Sequence, residues 1–111
     1  MDCLFCSIAS GDIPADVVFS DERVVAFRDI APVAPTHLVV IPREHHADAA
    51  ALAAADATLS AYLLAVMSQL GSEHCPAGFR MVFNTGADGG QTVGHVHGHV
   101  IGGRSMTWPP G

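Results

Sequence analysis

From His95 to Ile101 the chain alternates imidazoles with apolar or small residues, His95-Val96-His97-Gly98-His99-Val100-Ile101. Two residues is the period of a strand, on which side chains two apart share a face and lie ~6.6–6.8 Å from one another. The alternation predicts a final strand over Val93–Ile101. Three imidazoles would line one side of it, with Val96, Gly98 and Val100 on the other. The apolar side needs a covering layer, and the rest of the chain supplies one.

That layer is a helix. Leu59, Leu63, Val66, Met67 and Leu70 recur at helical spacing between Asp56, a good N-cap, and Gly71, an expected stop. Phe5, Ile8 and Ala9 predict a short N-terminal helix that stops at Gly11, ahead of Pro14. Val17–Phe19 and Val24–Phe27 read as strands joined by the turn Ser20-Asp21-Glu22. Leu38–Ile41 is an apolar run suited to a buried central strand closed by Pro42. Phe79, Met81 and Phe83 alternate with Arg80 and Val82 as a further strand. Between these elements lie an Ala-rich stretch (Ala47–Ala57), a proline-bearing loop (Asp29–Thr36) and a glycine-rich loop (Asn84 to Gln91). Strands clustered at both ends around one long helix predict an α+β fold with a mainly antiparallel sheet. At 111 residues the expectation is a single domain over 1–111.

Composition excludes several function classes. Half the residues are apolar and only 14% are charged, so this is not a disordered tail. The net charge is −6, from 11 acidic and 5 basic residues, and five scattered arginines make no basic stripe for a nucleic acid polymer. No uninterrupted apolar run approaches the ~18 residues of a membrane span. The opening Met1-Asp2-Cys3-Leu4 does not read as a signal peptide, and three cysteines do not form a disulfide framework, so a cytoplasmic location is expected. A core this small makes an apolar contact between subunits reasonable, and a homodimer is expected.

A single small anion remains open as a ligand. The Gly86–Gly90 loop can expose successive N–H groups of the kind that cradle phosphate oxygens. Imidazole beside such a cradle suits attack on phosphorus or protonation of its leaving group. Two histidines at i and i+2 on a strand can equally converge on a metal ion. Spacing alone leaves both readings open.

The stretch His95–Ile101 resembles the His-φ-His-φ-His-φ-φ signature of the histidine triad family of nucleotidyl hydrolases and transferases. Phe27-Arg28-Asp29-Ile30, Ala34-Pro35-Thr36-His37 and Asn84 through Gln91 are similar to that family's other motifs, in the same order. The ending Gly102–Gly111 is similar to its nucleoside phosphoramidate hydrolase branch, whereas Gln91-Thr92-Val93 also resembles its dinucleoside polyphosphate hydrolase branch. Two positions depart from the pattern. Gly98 stands where a bulky apolar residue is usual, which predicts looser packing behind the histidines, and Thr107 stands where relatives carry histidine.

The resemblance implies a hydrolase of purine nucleoside 5′-phosphoramidates, with a dinucleoside polyphosphate hydrolase or a nucleotide-binding partner protein as alternatives. It implies His97 as nucleophile through a nucleotidyl-histidine, His99 as a hydrogen-bond or proton donor, and His37 and His95 as supporting members. Gln91 and Thr92 would donate to phosphate or leaving group, and Gly90 belongs to the same loop. Asp29 suits a carboxylate that accepts both ribose hydroxyls, or else initiates the turn before Pro32. Phe5, Ile8, Phe27 and Ile30 would form an apolar slot for the base, and Asn84 a sugar or loop contact. No cofactor is implied for catalysis. Cys3-Leu4-Phe5-Cys6 has the spacing of a thiolate pair for zinc, and the resemblance completes a structural site with His45 and His95. His46, His74 and Asp21-Glu22 read as solvated surface, and Cys75 as a spare thiol.

Overall fold

In the computed structural model, which describes residues 3–111, β-strands β1 (Val17–Ser20), β2 (Val24–Arg28), β3 (Thr36–Pro42), β4 (Phe79–Phe83) and β5 (Gly98–Gly102) form one sheet in the order β1-β2-β3-β5-β4. Every neighbouring pair is antiparallel. Three helices accompany it: α1 (Leu4–Ser10), α2 (Ala49–Ala55) and α3 (Ala57–His74). The α+β architecture read from the sequence is therefore present.

Central β3 is buried along its whole length because both faces of the sheet are covered there. One face carries Val24, Ala26, Leu38, Val40 and Val100, which pack on Leu59, Leu63, Val66, Met67 and Leu70 of α3. All five residues of the expected helical stripe are buried, each stabilising the fold by ~1.5–3 kcal/mol. The other face carries Val25, Phe27, Val39 and Ile41 under Phe5 of α1. Period-2 alternation places His37 and His99 on this second face, with His99 opposite Val39 across the β3–β5 pairing. The two helices on the α3 side are capped by aspartates: Asp48 accepts from Ala51 N–H and Asp56 from Leu59 N–H.

The elements differ from the sequence reading in four places. The last strand begins at Gly98, so His95 and His97 precede it in a segment that bends through His95 and bonds Val96 N–H to the His46 carbonyl at 2.7 Å, and the three imidazoles do not share one strand face. Part of the Ala-rich stretch is the separate helix α2, started by Asp48. Gly71 does not end the long helix, which continues to His74; a Cβ there would meet the Phe79 ring at 2.3–2.5 Å, so this glycine is where β4 approaches α3. Gly98 brings no looseness: a Cβ on it would lie 2.3 Å from Met67 Cε, and fully buried Met67 already fills the space.

Candidate active site and metal cluster

The short run from His95 to His99 feeds two clusters. His95 is fully buried, and its Nε2 lies 2.9 Å from the carbonyl oxygen of Pro42. A carbonyl only accepts, so Nε2 carries the proton and Nδ1 keeps its lone pair. That lone pair faces Cys3, Cys6 and His45. Cys3 Sγ is 3.3 Å from His95 Nδ1 and 3.5 Å from His45 Nδ1. Cys6 Sγ is 3.5 Å and 3.4 Å from the same atoms, and the two Nδ1 atoms are 3.1 Å apart. A tetrahedral zinc with Zn–S of ~2.3 Å and Zn–N of ~2.0–2.1 Å has edges of roughly 3.3–3.8 Å, so the four residues fit that ion closely. The Pro42 carbonyl is a partner of the kind that orients a histidine toward a metal. Cys3 also caps α1, accepting the Cys6 N–H at 3.2 Å, which sets both thiols on one side of the first turn.

The second cluster lies on the α1 face of the sheet. Val33 N–H donates to His37 Nδ1 at 3.2 Å, so the His37 proton resides on Nε2. Nε2–H then donates to His99 Nδ1 at 2.8 Å, with an Asp29 oxygen 3.4 Å away. Neutral His99 consequently carries its own proton on Nε2. Burial, reinforced by the neighbouring His97 and His37 rings, pushes His99 down to about 4, so it is neutral at neutral pH. Buried His97 donates its Nδ1–H to the His95 carbonyl oxygen at 2.8 Å, leaving Nε2 as a bare lone pair. The His97 and His99 rings are 5.1 Å apart between centroids, and the edge-on Phe5 ring lies 4.9 Å from His97. The arrangement joins one nitrogen nucleophile to one neutral N–H donor. Asp29, His37 and His99 also lie close enough to share a metal ion, but His37 Nε2 is committed as a donor, so the trio does not suit one.

The remaining expected site residues divide. Phe5 and Phe27 are buried edge-to-face at 5.6 Å, with Ile8 half-buried beside them, and together they form an apolar wall next to His97. Ile30 is fully exposed and takes no part in that wall. One Asp29 oxygen accepts Ala31 N–H at 2.8 Å, the turn-initiating role, while the other faces His37. Asn84 directly follows β4, one residue beyond the Phe83–Gly98 pairing, and Thr92 is exposed.

The glycine loop is partly closed by its own bonds. Gly86 N–H donates to Gln91 Oε1, Gly90 N–H to Ala87 O and Gln91 N–H to Gly86 O. Gln91 also donates Nε2–H to the carbonyls of Ala47 and Val93, so its amide fastens the loop to the segment before α2. Gly90 itself adopts φ of 81°, a left-handed turn position. His46 is not solvated, its side chain being mostly buried with Glu44 at 3.4 Å. Asp21 is structural, accepting the Arg23 and Val24 N–H groups and the Tyr62 hydroxyl. The backbone partners that set the imidazole protons, Val33, Pro42 and the His95 carbonyl, carry no signal of their own in the sequence. A cavity of about 640 Å³ between Cys75, Phe79, Arg80, Arg104 and Met106 includes no residue of either cluster. No described helix is long and apolar enough to cross a membrane.

The family model described as the HIT domain matches residues 10–106. An uncharacterised HIT-like protein of Synechococcus elongatus is 47% identical over 111 residues, spanning 99% of this chain and 97% of its own. A 14 kDa zinc-binding protein of Zea mays is 41% identical, spanning 97% of this chain and 87% of its own. The solved structure of a HIT family hydrolase from Legionella pneumophila superposes with a TM-score of 0.95 at 49% identity, covering 99% of this chain and all of that one.

Proposed function

The chain belongs to the HIT domain family, and from that premise we propose that it is a nucleotide-binding hydrolase that cleaves purine nucleoside 5′-phosphoramidates to the monophosphate. His97 Nε2 attacks the α-phosphorus. The P–N bond to the amine breaks with its electron pair going to the amine, which takes up a proton from solvent water. The product is a nucleotidyl-histidine, which water then opens to release the nucleotide and restore His97. One P–N bond replaces another in the first step, so the intermediate need not lie far above the substrate. His99 Nε2–H donates to a phosphate oxygen, as its neutral state at working pH requires. Phe5, Ile8 and Phe27 receive the base. The observation that carries the reading is the Nδ1–H bond from His97 to the His95 carbonyl, which leaves a nucleophilic nitrogen beside a neutral donor.

Cys3, Cys6, His45 and His95 hold a structural zinc in this reading, and the ion supplies cross-linking of α1 to the sheet. A homodimer forms through the free edge of β4 and the adjoining surface of α3, where Met81 and Leu64 are 42% and 45% exposed. Sedimentation velocity tests that assembly, and a monomer at micromolar concentration would refute it.

The deciding experiment is AMP release from adenosine 5′-phosphoramidate by the wild type and His97→Ala, with and without chelator. Chelator-resistant turnover lost in His97→Ala is expected. Faster cleavage of diadenosine polyphosphates would move the chain to the dinucleotide branch, and AMP binding without turnover would make it a binding protein.

A further inference from the structure

The apolar wall beside His97 rests on α1, a seven-residue helix that is too short to persist by itself. Its backbone approaches the rest of the fold at few points. The Cys3–Cys6 end is held by the metal cluster. Its other end stops at Gly11, and the last turn contains no basic residue of its own to meet the exposed carbonyls. Ile8 O accepts Gly11 N–H and Ser7 O accepts Ile13 N–H, while Ala9 O takes a partner from elsewhere. Arg43 supplies it. Its Nη1 donates to Ala9 O at 2.5 Å, Nε to Asp21 O at 2.8 Å and Nη2 to Ser20 Oγ at 2.8 Å. One guanidinium thus ties the end of α1 to the β1–β2 turn, and its positive charge suits a helix C-terminus. Arg43 follows β3 directly and stands two residues before His45, so one short segment secures α1 at both ends.

We propose that Arg43 is a positioning residue for nucleotide binding: it holds the Phe5 and Ile8 wall against Phe27 and sets affinity for the base without touching the phosphate chemistry. The three bonds use three different nitrogens in the planar fork, which a lysine ammonium cannot reproduce. The inference rests on the nucleotide reading above for its ligand, whereas the pinning of α1 stands on the contacts alone.

The test compares wild type, Arg43→Lys and Arg43→Ala, each with its metal content measured, by amide hydrogen exchange across residues 4–10, AMP affinity and steady-state kinetics on adenosine 5′-phosphoramidate. Loss of a charged hydrogen bond predicts exchange of α1 in Arg43→Ala faster by about tenfold or more, with α3 and β3 unchanged. AMP affinity should fall and KM rise by about tenfold, kcat should stay within about twofold, and lysine should recover only part of the loss. Unchanged α1 exchange would overturn the pin. Normal AMP affinity despite faster α1 exchange would overturn the role in binding, as would a fall in kcat at constant KM. Wild-type protein that does not bind AMP would overturn the nucleotide reading and the binding role with it, while the exchange data would still decide the pin. Should Arg43→Ala fail to fold, the same measurements on Arg43→Lys decide it.

Discussion

The carbonyl oxygen of His95 accepts the Nδ1–H of His97 at 2.8 Å, while the His95 ring faces Cys3, Cys6 and His45. One residue therefore joins the Cys/His cluster through its side chain and holds the His97 ring through its backbone. The His95 ring is also tied to the Pro42 carbonyl and fully enclosed, so it has an anchor that does not depend on the metal.

Metal removal should accordingly separate stability from chemistry. Stripping the proposed zinc leaves two thiols and two imidazoles facing each other without a shared ion. The fold should lose several kcal/mol, a fall in Tm on the order of 10 °C or more. Below the new Tm, kcat should change by less than about threefold, because the Pro42 bond still holds the His95 carbonyl in place. Metal analysis, thermal melts and turnover on the same stripped sample check this. A collapse of kcat in protein that remains folded would show that the ion also supports the nucleophile.

His37 acts on His99 through a proton, and the choice of substitution tests that. His37→Ala removes the Nε2–H donor, so His99 is free to place its proton on either nitrogen. Turnover should fall by about 10- to 100-fold with KM little changed. His37→Gln retains an N–H donor near the same place and should recover part of the rate. Equal losses in both variants would mean that His37 contributes packing alone.

The α3 stripe was legible in the sequence because periodicity reports which face is buried, and β2 and β3 because burial on both faces leaves a continuous apolar run. The histidine alternation was misleading. His95-Val96-His97 has a strand pattern, but β3 and β4 pair only from Gly98 onward, and the bend before it turns the His95 ring toward the cysteines. The Cys3–Cys6 pair is legible from its spacing, whereas His45 and His95, 42 and 92 residues from Cys3 in the chain, are added only by family resemblance. Gln91 shows the opposite limit: an amide in a glycine loop suits a phosphate donor, and only the fold reveals that backbone carbonyls already occupy it.

Gly71 supplies a stability test in which local and tertiary preferences oppose each other. In a helix interior alanine is favoured over glycine by ~1 kcal/mol. A Cβ at this position, however, would lie 2.3–2.5 Å from three atoms of the Phe79 ring. Overpacking of this kind costs ~1–3 kcal/mol, so Gly71→Ala should destabilise the protein despite its better propensity. In a Phe79→Leu background the clash is relieved and the same substitution should become neutral or stabilising. Denaturant melts of the four proteins give the answer, and a stabilised single variant would refute the contact.

Gly98 and Met67 should be coupled. Valine at position 98 would drive into Met67 Cε and Sδ, 2.3 and 2.4 Å from the ideal Cβ, with Phe83 at 3.0 Å behind. Met67→Ala opens a cavity by itself, costing ~2–5 kcal/mol. The double variant should be less destabilised than the sum of the singles by at least ~1 kcal/mol, since each change supplies what the other lacks. Additive losses would place the strain of the valine elsewhere.

His99 provides the pH test. Its folded value of about 4 lies below the ~6.5 of a free histidine, so the unfolded chain binds the proton more readily between those two limits. The stability carried by neutral His99 is present above ~6.5 and is lost as pH falls toward the folded value. Asparagine at this position keeps an oxygen to accept the His37 Nε2–H but does not titrate. Between pH 7 and pH 5 the wild-type Tm should therefore fall by several degrees more than that of His99→Asn. Burial also lowers His95, but that contribution is common to both proteins and cancels in the comparison. Parallel Tm profiles would show that folding does not make His99 harder to protonate, and its role as a neutral donor would then have to be abandoned.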